Sequence, residues 1–138
     1  MTKTLNRNLF PLTVFITGAS VLIVEVIAVR ILSPYYGSTI FTVSSVISVI
    51  LAALSIGYYM GGRLADSHPS LKLFFEIIIF SGIGILFFHF VSLTYLPILS
   101  ANFSISTGPF VSALLLFFFP AFLLGTLSPY AIKLQSVY

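Results

Sequence analysis

Residues 38–66 read STIFTVSSVISVILAALSIGYYMGGRLAD, and no Asp, Glu, Lys or Arg occurs before Arg63. A helix that crosses the hydrocarbon core of a bilayer needs about 20 mostly apolar residues. This stretch is long enough, ends on Gly61-Gly62 and meets its first charges at Arg63 and Asp66. Within it Ala53, Gly57 and Gly61 recur every fourth residue, which places them on one helical face. In lipid, where apolar surface gains nothing by leaving its surroundings, small residues at this spacing let another helix come close. The face therefore serves either packing inside the chain or contact with a second chain.

Three further stretches of the same kind flank it, at about 10–30, 73–96 and 108–131, with the central one at about 38–62. Turn chemistry separates them: Ser33-Pro34 and Gly37, then Ser67-His68-Pro69-Ser70, then the uncharged run from Ser100 to Pro109. Backbone groups in hydrocarbon must be satisfied within their own segment, so each run is expected to be a helix. The expected fold is all-α, a single integral membrane domain of four helices over 1–138. Composition agrees: 59% of the residues are hydrophobic, 7% are charged and the mean hydropathy is +1.16. A soluble domain carries about a quarter charged residues, so the lipid bilayer is the solvent this composition requires. The N-terminal MTKTLNRN resembles the start of a signal peptide. The apolar run behind it contains Glu25 and lacks a small-residue cleavage site, which reads as a retained helix.

Basic residues set the expected orientation. Lys3, Arg7, Arg63, Lys72 and Lys133 fall on one side of an even-numbered bundle, and Arg30 alone falls on the other. The positive-inside rule places both termini and the 63–72 connection in the cytoplasm of a multi-pass protein of the cell (inner or plasma) membrane. Tyr35, Tyr36 and Tyr95 then mark the outer interface, and Tyr58, Tyr59 and Tyr130 the inner one.

Few residues can carry chemistry. Glu25 lies inside the first span, about five residues or ~7–8 Å from its outer end. An ionised carboxylate is costly there. It reads either as a cation- or proton-binding group or as a structural acid bonded to a neighbouring helix. Arg30, kept on the outside against the charge rule, is the obvious partner, and the two form a candidate intramembrane polar pair. Gly62, Arg63 and Asp66 at the inner end of the second helix form a candidate network that latches helices together or simply caps one. His89, deep in the third helix among Phe87, Phe88 and Phe90, is expected to be buried, neutral and hydrogen-bonded, with a proton relay as the alternative. Lys72 and Glu76 are one helical turn apart and suited to pairing. Pro120, Gly125 and Pro129 are candidate kink positions in the fourth helix.

The chain has no cysteine, which excludes disulfides, thiolate metal sites and cysteine nucleophiles. No phosphate-binding loop, zinc-protease motif or nucleophile elbow occurs, and three acidic residues leave little for acid–base work. No catalytic residue, metal site or cofactor is expected. The net charge of +3 comes from isolated positions rather than a basic stripe, so nucleic acid is not an expected partner.

Three blocks together resemble a known family. They are Gly18-Ala19-Ser20 through Glu25 and Arg30 to Ser33-Pro34-Tyr35-Tyr36-Gly37-Ser38; Leu54-Ser55-Ile56-Gly57-Tyr58-Tyr59-Met60-Gly61-Gly62-Arg63-Leu64-Ala65-Asp66; and Pro120 with Leu123-Leu124-Gly125-Thr126-Leu127-Ser128-Pro129-Tyr130-Ala131. The order resembles the membrane-embedded N-terminal region of spermidine synthase-like proteins, fusions of a major-facilitator-like part with an aminopropyltransferase-type domain. Gly61-Gly62-Arg63-Leu64-Ala65-Asp66 is also similar to the inner-loop motif of major facilitators. The resemblance implies the membrane bundle and its orientation. The cofactor loop and polyamine-binding acids of the enzyme domain have no counterpart in these 138 residues. Three functions are thus open. The first is a small non-catalytic subunit that anchors or scaffolds other membrane subunits. The second is a homo-oligomeric half-transporter for a cationic or amine substrate using Glu25. The third is the membrane part of a split aminopropyltransferase-like system with a soluble cytoplasmic partner.

Overall fold

The structure, a computed structural model, describes residues 2–137, with side chains from residue 7 onward. Lys3, one of the orientation-setting residues, has its side chain outside the described part. Four helices account for nearly all of it: α1 (Thr2–Tyr36), α2 (Ile40–Ser67), α3 (Leu71–Asn102) and α4 (Gly108–Val137). All four are long and apolar enough to cross a membrane. The fold is the expected all-α bundle of four membrane-spanning helices.

Each helix outruns its apolar stretch. With 28 to 35 residues at 1.5 Å rise, they measure roughly 42–52 Å against a hydrocarbon core of ~30 Å. Two consequences correct the reading from hydropathy. Residues 63–67 do not belong to the connection but are the last turns of α2, and the connection to α3 shrinks to 68–70. On the other side α3 continues through Pro97 to Asn102, leaving only 103–107 as loop. Polar residues near an interface keep their backbone helical because intrahelical bonds remain the cheapest way to satisfy N–H and C=O groups there. At the α1–α2 turn the break is enforced by Gly37, whose φ of +83° suits a residue without Cβ. Its N–H bonds back to Ser33 O at 2.8 Å, and its carbonyl accepts from Thr42 Oγ1 at 2.8 Å.

The packing order is not the chain order. α4 contacts all three other helices, α2 most extensively, while α2 and α3 share no contact among the described residues. α1 touches both of them lightly. α4 is therefore the axis of the bundle, and it is the helix with the most buried positions. Ala53, Gly57 and Gly61 are buried against it. A Cβ built on Gly57 would fall 2.5 Å from Phe122 O and 3.1 Å from Gly125 Cα. One on Gly125 would lie 3.1 Å from Leu54 Cα. The small-residue face is thus consumed inside the chain, where backbone meets backbone and van der Waals contact replaces a hydrophobic driving force.

Two buried tyrosines close the ends of this axis. At one end Tyr36, 3% exposed, shares a hydrogen bond of 2.8 Å with Ser112 Oγ of α4. Its ring occupies the space beside Gly108 that any side chain there would need. At the other end Tyr130 is fully buried and stacks on Phe74 of α3, centroids 5.9 Å apart, with Phe10 of α1 set edge-on to Phe74. Both tyrosines were expected at the interfaces as markers. Within the bundle their rings fill the core at its two ends, and their hydroxyls find partners, as buried phenols do.

Candidate functional site

The end of the bundle formed by the α2–α3 connection and the end of α4 gathers most of the charge. Asp66 at the end of α2 pairs with Lys133 of α4 at 3.2 Å, both side chains partly exposed. Arg63 does not join Asp66. One helical turn after Tyr59, it donates through Nη1 to the Tyr59 hydroxyl at 3.2 Å, with the guanidinium 5.7 Å from the ring centroid. The expected Gly62–Arg63–Asp66 network is therefore corrected: the latch is Asp66–Lys133, and a Cβ added to Gly62 would meet no atom within 4 Å. Beneath it Tyr130 secures the α2–α3 connection. Its hydroxyl donates to His68 O at 2.5 Å and accepts the Ser70 amide hydrogen at 3.0 Å. Lys72 and Glu76 pair at 3.9 Å, exposed, as the spacing suggested.

Glu25 and Arg30 line one groove between α1 and α2 in the half of the bundle toward the α1–α2 turn, with Val26, Val29, Val43 and Ile47. The groove has a volume of about 300 Å³. Glu25 is half-buried and Arg30 exposed, and the two do not form an ion pair: the described pairs are Lys72–Glu76 and Lys133–Asp66. The reason is helical geometry, since five residues turn the second side chain ~140° from the first and displace it ~7.5 Å.

His89 is exposed rather than buried. It sits at the rim of an apolar cleft of about 220 Å³ between α1, α3 and α4, lined also by Val24, Ile85, Leu116, Phe117 and Pro120. The buried stripe of α3 runs instead through Phe74, Ser81, Gly84, Ser92 and Leu96, and His89 falls off it. Pro120, Gly125 and Pro129 lie within one continuous α4. Pro120 removes a bond that the Leu116 carbonyl would otherwise accept. Among the described residues no three His, Asp or Glu side chains lie close enough to hold a metal ion.

Tyr130, Tyr36 and Lys133 are the contact-making residues that reading the chain passed over as sites. For Tyr130 a signal existed in Ser128-Pro129-Tyr130, an aromatic with a polar tip at the end of an apolar span. Comparison with family models, with curated proteins and with solved structures finds no match to this chain. The fold and its sites define the class on their own: a four-helix, multi-pass membrane protein.

Proposed function

We propose that this chain is a non-catalytic subunit of the cell membrane that anchors or scaffolds a larger membrane assembly through helix–helix contacts. One observation carries the reading. Glu25 and Arg30 line a groove within the membrane-spanning length, open to the bilayer, and neither has an ion-pair partner among the described residues. Charged side chains in that setting are costly until another group neutralises them, and a neighbouring subunit supplies such a group. Arg7, Arg63, Lys72 and Lys133 stand at the same end of the bundle, which supports cytoplasmic termini. The test is the native mass of the full chain extracted in mild detergent, with every co-purifying polypeptide identified. A defined complex supports the reading; a lone monomer overturns it.

The half-burial of Glu25 favours a second reading, a homo-oligomeric half-transporter for a cationic or amine substrate, with the carboxylate as the coupling group. Four helices enclose no pathway alone, so two or more copies would build it. Glu25→Gln in reconstituted vesicles abolishes uptake on this reading; unaltered uptake removes the coupling role.

A further inference from the structure

α1 buries one face, through Phe10, Thr17, Val24, Ala28, Leu32 and Tyr36, and leaves the opposite face to the bilayer. Away from the buried face Leu12, Phe15, Ala19, Leu22, Val26 and Val29 follow spacings of three and four, the a and d positions of a heptad seam; Ala19 and Val29 are partly buried, and Val26 and Val29 border the α1–α2 groove where the seam reaches Glu25 and Arg30. Leu12, Phe15, Leu22 and Val26 are 55–73% exposed, so no described residue covers the centre of the seam. In this register Glu25 is a g position and Arg30 the e position of the next heptad. In two parallel helices packed along a and d, g of one helix flanks e of the following heptad on the other, five residues on. The offset that keeps Glu25 and Arg30 apart within one helix is the offset that joins them between two.

We infer that two copies of this chain pack side by side through α1, with Glu25 of each paired with Arg30 of its partner. A two-fold axis along the membrane normal makes the contact self-complementary and neutralises both acids and both bases at once. Gly18 supplies an independent observation. It lies one heptad before Glu25 at the seam's edge, and a Cβ there would meet nothing within 4 Å. No contact inside the chain uses its smallness, whereas a second helix approaching this flank would. The inference rests on the reading of the chain as a subunit that works by helix–helix assembly and names the first partner, a second copy.

The chain contains no cysteine, so single introduced thiols report proximity in native membranes without background. Val26→Cys in the full chain is expected to give a disulfide-linked homodimer on mild oxidation. Ile83→Cys, on the exposed face of α3, is expected not to. Adding Glu25→Arg to Val26→Cys should lower the linked fraction by roughly tenfold, because two attractive pairs become two clusters of like charge. Adding Arg30→Glu as well should restore it, since the exchange keeps each pair complementary. Equal linking at Val26→Cys and Ile83→Cys, or no recovery in the double exchange, overturns the dimer. A link from Val26→Cys to a different polypeptide also overturns it while leaving the assembly reading intact. A monomeric native mass removes both.

Discussion

Gly61 of α2 rests on the backbone of Thr126 in α4: a Cβ added to Gly61 would lie 2.7 Å from Thr126 Cα and 2.5 Å from its carbonyl oxygen. Backbone cannot retreat as a side-chain tip can, so Gly61→Val must push the two helices apart. The expected loss is about 1–3 kcal/mol or more, the range for overpacking a tight contact. Gly62→Ala, whose added atom meets nothing, should stay within ~0.5 kcal/mol of the parent. Reversible unfolding in mixed micelles, read by circular dichroism, compares the two.

Tyr130→Phe tests the staple on the α2–α3 connection. The ring stack on Phe74 survives, but the His68 carbonyl and Ser70 amide lose their shared hydroxyl partner. An abandoned polar group in a part-buried site costs about 1–3 kcal/mol. The same measurement should show that loss, with faster proteolysis at the 68–70 connection.

Much of the architecture is legible in the sequence alone, and the Tyr130 staple shows where legibility stops. Four spans, the Lys72–Glu76 pair and the small face of α2 follow from local spacing, because lipid demands long apolar helices and i, i+4 neighbours meet by geometry alone. Asp66–Lys133 and Tyr36–Ser112 join residues 67 and 76 positions apart, which spacing cannot reveal. His89 was misplaced for a related reason. α3 is apolar around its whole circumference, so its sequence does not say which face turns inward.

Tyr36 and Ser112 make a test of coupling at the opposite end. Each single change, Tyr36→Phe or Ser112→Ala, leaves a buried hydroxyl without its partner and should cost about 1–3 kcal/mol. Both changes together remove donor and acceptor, so the double variant should cost less than the sum. A coupling of ~1 kcal/mol in the double-mutant cycle is the expected outcome.

Thr39, the residue before α2, offers the contrary case. Its Oγ1 is buried without a hydrogen-bond partner, and as N-cap it makes no side-chain bond to the helix. Thr39→Val keeps the shape and removes the unsatisfied group. Stability should be unchanged or raised by up to ~1 kcal/mol, whereas a clear loss would show that the hydroxyl has a partner in the membrane.

The Asp66–Lys133 pair is partly exposed on both sides, so solvent and salt screen it. Asp66→Asn should cost no more than ~1 kcal/mol, and the difference should fade as salt is raised from low to molar concentration.

The position of α4 at the centre has a consequence in time. Of the four helices it is the last to leave the ribosome, yet it is the one on which α2 and α3, which never touch each other, both depend. While it is still being translated, α1, α2 and α3 stand in the bilayer almost as strangers, and the bare glycine face of α2 is open to any passing helix. The native arrangement is therefore completed backward, when α4 inserts between neighbours already in place. A nascent chain stalled before Gly108 would present the membrane's quality-control machinery with three inserted helices and no core.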